Sequence, residues 1–325
     1  MTTDYPATPV PSVGALYTLV QDLDRAGQEE LFAELASRGI AQGIELPFRD
    51  SLDTDLPWLA SQLRGRFTHS VVTPIPGTMQ RVAADPHFGL ASPDPEGRER
   101  ALAFMRGVLA EVRELTALAG ERVVDAVFVH SAPSGLADAD AFRASIADLL
   151  AEIAASGDAA APHLIIEHCD AANDAVPGEK RFLSIEAEVE IARELGVGVT
   201  INWGRSAVEA HEADVVLRHI RAAREAGVLA GLMLSGAGPE ANGFGAAWAD
   251  AHLPHTENEP TSLLDDAAIA ASMSAAGLDT PAHAFDGTAG LPAATYAGIK
   301  VQCAPALSIP ARIDTLARVY RGMWG

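Results

Sequence analysis

Polar and charged residues stand at the ends of short apolar runs along the whole chain. They are Glu45, His130, Glu167, His168, Asn202, Arg205, Ser235 and Lys300. Carboxylates and imidazoles are common general acids and bases, and cationic side chains stabilise oxyanions. Such groups rarely gather inside apolar segments unless they are paired or take part in function. We therefore expect them to form one site.

The chemistry that this set predicts is removal of a proton next to a carbonyl. We expect Glu167 to act as the base, Glu45 as the opposite acid or base, and Lys300 to hold the enolate oxygen. His130 could carry a proton between oxygens. Two alternatives stay open, a structural ion-pair network such as Glu167 with Lys300, and a Schiff base at Lys300.

The other residues near the strand ends are predicted to bind substrate. Trp203 offers a flat apolar face for a sugar, although it could be a packing residue, and Arg49 and Arg205 could hold an anionic group. The predicted substrate-binding residues are His168, Asn202, Trp203, Arg205, Arg49 and Ser235.

The apolar runs that carry these residues alternate with helical patterns. The predicted strands are Val13–Leu19, Gly43–Phe48, Thr68–Thr73, Ala126–His130, His163–His168, Val197–Trp203, Ala230–Leu234 and Gly298–Cys303. Alternating strands and helices indicate a parallel sheet, and reacting groups in a barrel come from the C-terminal strand ends. The sequence predicts an α/β protein, a single (β/α)8 TIM-barrel domain over residues 1–325 with an elaborated loop at about 236–260; a doubly wound sheet is the alternative.

Local signals also place several helix boundaries. Ser184 is predicted to cap a helix that ends at Gly196, and Ser262 with Asp265 fits a capping box. A single helix is expected over Ala207–Ala226.

Charge and composition limit the partners. The formal net charge of the 325-residue chain is -21, which disfavours nucleic-acid and membrane partners. Two cysteines cannot form a disulfide framework, and the N-terminal MTTDYPATPVPSVG lacks a signal-peptide pattern, so a cytoplasmic location is expected. The loop at 236–260 could join copies of the chain, so a homo-oligomer is a further prediction.

Several motifs around these residues resemble one known family. TPIPGTM, DPHFGLAS, LIIEHCDA, INWGRSAVE, WADAHLP and GIKV are similar to stretches of the bacterial domain-of-unknown-function family 4862, and the resemblance covers nearly the whole chain. It implies a xylose-isomerase-like TIM barrel. That superfamily contains sugar isomerases, ketose 3-epimerases, dehydratases and an endonuclease branch, so a small-molecule carbohydrate is the implied ligand.

The resemblance also implies where a metal would lie. The superfamily usually holds Mn or Mg with Glu, Asp, His and Glu on strands five to eight, and the matching positions here are Glu167, Asn202, Ser235 and then Lys300 or Gln302. Only Glu167 keeps the pattern, and a lysine would repel a metal. We therefore expect no cofactor. The alternatives are a relocated divalent metal held by Glu167 with His130 or His168, with or without Glu45, or by the loop residues His252, His255 and Glu257.

The sequence thus predicts a sugar-directed isomerase, epimerase or lyase. The alternative is a non-catalytic barrel that binds a carbohydrate or a partner chain and has lost the superfamily's metal site. An endonuclease is disfavoured because such enzymes need a metal cluster and basic grooves, whereas this chain is acidic.

Overall fold

The structure is a computed structural model that describes residues 8–20, 22–279 and 295–325. Within these residues, eight parallel strands form a closed barrel in chain order, and the first strand pairs with the last. The strands are β1 Ser12–Gly14, β2 Gly43–Pro47, β3 Ser70–Thr73, β4 Val124–Val129, β5 His163–His168, β6 Gly198–Asn202, β7 Leu229–Leu234 and β8 Tyr296–Ile299.

Helices surround this barrel. They are α1 Arg25–Arg38, α2 Leu56–Leu63, α3 Ile75–Ala84, α4 Pro95–Ala119, α5 Ala139–Ser156, α6 Ile185–Leu195, α7 Trp203–Ala210, α8 Asp214–Glu225, α9 Asp266–Ala276 and α10 Ile309–Trp324. The α/β barrel predicted from the sequence is confirmed. None of the helices in the described residues combines the length and apolar composition needed to cross a membrane.

The first and last predicted strands are wrong in their bounds. The apolar run Val13–Leu19 continues past β1 into a short 3-10 helix, Leu16–Thr18, which is also buried, so hydropathy does not separate the two. At the other end, β8 stops at Ile299. Beyond it, the Gln302 backbone N–H donates to the carbonyl of His252, 2.7 Å away, so this segment pairs with a loop.

The predicted helix Ala207–Ala226 is two helices. Their junction is at His211, whose φ of 56° is left-handed, and α7 begins directly at the end of β6. The helix α3 is missing from the sequence prediction because prolines and a glycine dominate its first turn, although proline is favourable there.

Of the two predicted caps, one is confirmed. The Ser184 side chain accepts from the Ala187 N–H at the start of α6. The capping box at Ser262 is wrong, because Asp265 is the cap of α9 and accepts from Ala268 N at 2.8 Å.

Side chains of successive strand residues alternate between the helix layer and the barrel interior. A small apolar cluster fills the interior: Val13, Val71, Ala126, Phe128, Ile165, Ala230, Met233 and Tyr296. Beyond this cluster, toward the C-terminal ends of the strands, the interior becomes polar, with Glu45, Thr73, His130, Glu167, Asn202, Ser235 and Lys300, all buried. The barrel interior therefore has an apolar layer, called the floor below, and a polar layer at the C-terminal strand ends, called the mouth.

Gly231 in β7 leaves space for the barrel floor. A Cβ at this position would lie 2.4 Å from Thr200 Oγ1 and 2.5 Å from the Tyr296 ring. We expect Gly231→Ala to lower the free energy of unfolding by about 1–3 kcal/mol through overpacking, measured by urea denaturation. The control is Gly107→Ala, on the exposed face of α4 with no atom within 4 Å of the new Cβ, which should stabilise slightly. Equal stability of the two variants would contradict this packing argument.

Candidate active site

Glu167 is the centre of the polar mouth. Its Oε2 lies 2.8 Å from His130 Nε2 and accepts a hydrogen bond from Thr73 Oγ1 at 3.3 Å. Its Oε1 lies 2.7 Å from Arg205 Nη1 and accepts from Asn202 Nδ2 at 3.4 Å. Burial alone would raise the pKa of Glu167, but the attraction of Arg205 and Lys300 and the hydrogen bond from His130 outweigh it and hold this pKa well below its usual range. Glu167 is therefore a firmly ionised carboxylate.

Arg205 extends this pairing across the mouth. It lies in the first turn of α7, where Asn202 Oδ1 accepts its backbone N–H, so its guanidinium reaches back over the strand ends. Arg205 Nε donates to Asp250 Oδ2 at 2.9 Å, and Lys180 Nζ donates to the same oxygen at 2.8 Å. Charges alternate along this chain of contacts, which ties loops after β5 and β7 to the barrel.

Glu45 forms a second, less saturated carboxylate site. Its Oε1 accepts from Lys300 Nζ at 3.2 Å, whereas its buried Oε2 has no hydrogen-bond partner among the described residues. Burial raises the pKa of Glu45, and the attraction of Lys300 only partly offsets that rise. The structure therefore pairs Lys300 with Glu45, not with Glu167 as the ion-pair alternative proposed.

Two histidines of the mouth are held neutral. Burial lowers the pKa of His130, although Glu167 raises it in part. Burial also lowers the pKa of His252, which lies 3.2 Å from Asp250 and 2.9 Å from Ser235 Oγ through its Nδ1. Ser235 thus contacts the loop after β7 and helps to position it.

Two predicted binding residues, His168 and Trp203, lie away from the mouth, and a third, Arg49, lies on the segment that follows β2. His168 follows Glu167 and so faces the helix layer, where its ring contacts Glu188 and Glu209. Trp203 is buried and donates from Nε1 to Ser272 Oγ on α9, so it offers no face to a sugar in the mouth. Arg49 is exposed on the segment after β2, and its carbonyl accepts from Arg81.

The loop histidines and glutamate do not gather either. His252 reaches the mouth, His255 lies 3.4 Å from Asp266, and Glu257 pairs with Arg318 at 2.7 Å on α10. His255 and Glu257 are neighbours, since the Glu257 N–H donates to His255 Nδ1 at 3.1 Å, but His252 contacts Asp250 and Ser235 instead.

Sequence reasoning missed Asp250, Lys180 and Tyr17. Lys300 Nζ lies 5.4 Å from the centre of the Tyr17 ring. Asp250 stands in WADAHLP, one of the family-like motifs, which is the only signal that could have drawn attention to it. Lys180 lies outside the predicted strand ends, and Tyr17 lies inside the predicted strand Val13–Leu19, so neither carries a spacing signal.

The mouth does not fit the superfamily's divalent metal. Among the matching positions, Asn202 points its Nδ2 donor at Glu167, and Lys300 brings a cation. The Arg205 guanidinium contacts the remaining carboxylate at 2.7 Å. Donor groups and positive charges surround Glu167 where a metal would need oxygen and nitrogen acceptors.

A second buried cluster lies outside the barrel wall. It comprises His168, Glu209 and His219, whose nearest ligand atoms all lie within 4.8 Å of one another, a grouping able to hold a metal ion. Burial opposes protonation of His168, yet Glu188 and Glu209 outweigh it and raise its pKa to about 10.

The barrel is that of the xylose-isomerase-like TIM barrels. It is similar to the IolI protein solved with a zinc atom, with a TM-score of 0.59, 12% identity and coverage of 96% of this chain and 98% of that one. It is similar to a putative xylose isomerase from Rhodospirillum rubrum, with a TM-score of 0.58, 13% identity and 97% coverage of each chain. The 3-keto-D-glucoside 4-epimerase YcjR from E. coli gives a TM-score of 0.53 at 12% identity, covering 97% of this chain and 100% of that one.

The chain belongs to the family described as Domain of unknown function (DUF4862), whose model matches residues 12–314. A relative from Salmonella typhimurium, "Uncharacterized protein STM3670", is 30% identical over 255 residues, which is 77% of this chain and 79% of the relative. The family predicted from the motifs is confirmed, and the solved structures share its predicted barrel fold.

Proposed function

We propose that this chain is an enzyme that removes a proton next to the carbonyl of a carbohydrate or sugar acid, as sugar isomerases, epimerases and lyases do. The observation that carries the proposal is the contrast between two buried carboxylates of one mouth. Glu45 has a raised pKa and a buried oxygen without a hydrogen-bond partner among the described residues, whereas Glu167 has partners on both oxygens and a strongly lowered pKa. Carboxylates whose environments push their pKa values apart are typical of acid–base sites.

In this proposal Glu45, not Glu167, is the base. A base near the working pH takes a proton better than a carboxylate held ionised by an arginine. Glu45 accepts the proton from carbon, and the bonding electron pair moves to the carbonyl oxygen. Lys300 and Arg205 supply the positive charge that stabilises that oxygen.

Glu167 then acts as an organising anion. It holds the Arg205 guanidinium and accepts a hydrogen bond from neutral His130, so Nδ1 of His130 is the free ring acceptor for a proton. Protonation of the same carbon on its opposite face by water, with Glu45 releasing its proton to solvent, gives an epimer. Transfer of the proton from Glu45 to the neighbouring carbon, with His130 carrying the proton between the two oxygens, gives an isomer. Departure of a β-substituent gives a lyase product.

The similarity to YcjR supports this chemistry by analogy. Epimerisation at C4 of a 3-keto sugar removes a proton from the carbon next to the carbonyl, which is the step proposed for Glu45. A small-molecule carbohydrate is therefore the proposed ligand. The predictions of a cytoplasmic location, a homo-oligomer, and no nucleic-acid or membrane partner stay predictions.

Solvent exchange tests the proposal even while the product is unidentified. The protein is incubated in D2O with ketoses, aldoses, 3-keto glycosides and keto sugar acids, and NMR follows deuterium incorporation next to the carbonyl. We expect incorporation with at least one class, and none in the absence of protein. Sugar binding without exchange would contradict the proposed enzymatic activity and favour the non-catalytic binding barrel. If the protein shows no sugar binding and no exchange, both hypotheses are contradicted.

A further inference from the structure

The cluster outside the barrel wall has the geometry of a metal site. His168 ends β5, Glu209 lies in the last turn of α7, and His219 lies on α8. His168 Nε2 is 3.2 Å from Glu209 Oε2, and His219 Nε2 is 3.5 Å from Glu209 Oε1. The Nε2 atoms of both imidazoles thus face one carboxylate.

The other nitrogen of each ring has its own partner. His168 Nδ1 lies 2.7 Å from Glu188 Oε2, and Glu188 Oε1 accepts from Ser131 Oγ at 2.5 Å. His219 Nδ1 lies 3.0 Å from Ser206 Oγ. Metal-binding histidines nearly always have such partners on the nitrogen that does not bind the metal, because these partners fix the ring orientation and tautomer.

The donor set and its spacing suit zinc. Two imidazole nitrogens and one carboxylate oxygen are zinc ligands, and three protein ligands leave a fourth position for water. Bonds of about 2.0–2.1 Å place tetrahedral ligands about 3.4 Å apart, and the three ligand atoms here lie within 4.8 Å. The side chain of Glu209 is 16% exposed, so solvent reaches the cluster, whereas His168 is fully buried.

We propose that His168, Glu209 and His219 form a zinc site separate from the barrel mouth. Zinc replaces the proton on His168 Nε2, which leaves to solvent, and joins β5 to α7 and α8 directly behind Glu167. The proposal does not depend on the proposed function, because none of its three ligands lies in the mouth.

Zinc titration of the untagged native protein, after EDTA treatment and dialysis, tests the site. Competition with a chromogenic chelator at pH 7.5 should give one tightly bound zinc per chain, and the melting temperature should rise on loading. X-ray absorption of the loaded protein should show two imidazole ligands. Absence of stoichiometric zinc, or a thiolate ligand in the spectrum, would overturn the proposal.

Variants locate the metal. His219→Gln should weaken zinc binding at least ten-fold, and Glu188→Gln, which changes the residue that holds His168 Nδ1 and also accepts from Ser131, by about 10–100-fold. Glu45→Gln in the mouth and His255→Gln, a buried histidine beside Asp266, should bind zinc as the native protein does. If Glu45→Gln loses the metal and His219→Gln retains it, the zinc belongs to the mouth and the proposed site is wrong. Circular dichroism shows whether each variant is folded. If a variant does not fold, the X-ray absorption spectrum of the zinc-loaded native protein still tests whether two imidazoles bind the metal.

Discussion

Replacing Glu45 with glutamine is expected to reduce deuterium exchange into the substrate by about 10²–10⁴-fold, the usual contribution of a general base. The amide keeps the shape and the contact with Lys300 but cannot accept the proton. Because Glu45 and Lys300 form a fully buried ion pair, the variant is expected to be less stable, and exchange is compared only after circular dichroism shows that it is folded. The matched control is Glu30→Gln, an exposed carboxylate on α1, which should leave exchange unchanged.

The pH profile separates a base from a residue that only shapes the mouth. Glu45 must be ionised to take the proton, so kcat/KM should rise with pH and level off above the raised pKa of this group. Lys300 lowers that pKa, and its removal in Lys300→Met should therefore move the acid limb to higher pH as well as slow exchange. An acid limb that stays in place in Lys300→Met, or that survives in Glu45→Gln, would show that another group is the base.

The barrel was predictable because its signals are local and repeated. Parallel strands buried on both faces appear as short apolar runs, and helical patterns stand between them. The errors lie where the same hydropathy suits two structures. The 3-10 helix Leu16–Thr18 buries Leu16 and Thr18 as the strand before it buries its residues, and α7 starts at Trp203 without the polar break that usually separates a strand from a helix.

The site was predictable only in part, because the end of a predicted strand shows where a residue lies along the chain but not whether its side chain faces the barrel interior or the helices. Glu167 and His168 both end β5, yet only Glu167 faces the interior, and the same is true of Asn202 and Trp203 at the end of β6. One residue of register decides which of each pair meets a substrate. The register could be derived from the apolar residues Phe128 and Ile165 once the interior cluster was known.

The roles of the two carboxylates depended on a contact that spacing cannot show. Arg205 reaches Glu167 because α7 begins at the strand end and turns its first residues over the mouth. This contact makes Glu167 an ionised partner of arginine, which is why the proposed function assigns the base to Glu45. Asp250, which holds the other side of Arg205, comes from a long loop whose path has no periodic signal.

Arg205→Met is expected to lower the free energy of unfolding by about 3–5 kcal/mol, the usual effect of removing one partner from a buried ion pair. Glu167 and Asp250 would both lose the guanidinium, and their side chains are at most 6% exposed. The matched control is Arg318→Met. Arg318 also joins two carboxylates, Glu257 and Asp266, but these are 63% and 64% exposed, so its removal should cost about 0–1 kcal/mol.

The pH dependence of the stability lost in Arg205→Met shows whether that loss is electrostatic. The folded-state pKa values of Glu167 and Asp250 lie well below the unfolded values of about 4.3 and 3.9. The stability they contribute is therefore present above the unfolded pKa values and is lost as pH falls through the folded ones. Without Arg205 the folded-state pKa values of Glu167 and Asp250 rise. As the pH falls, both carboxylates are therefore protonated at a higher pH than in the native protein, and their uncompensated charge disappears.

The difference in unfolding free energy between the native protein and Arg205→Met should thus be largest near pH 7.5 and narrow toward pH 4. Urea denaturation at both pH values measures it. The double variant Glu167→Gln/Arg205→Met should cost less than the sum of the two single variants, because the second change removes a charge that the first has left unpaired. A loss that is equal at both pH values and additive in the double variant would mean that Arg205 stabilises the mouth by packing alone, and Glu167 would then not be held ionised by its contact with Arg205.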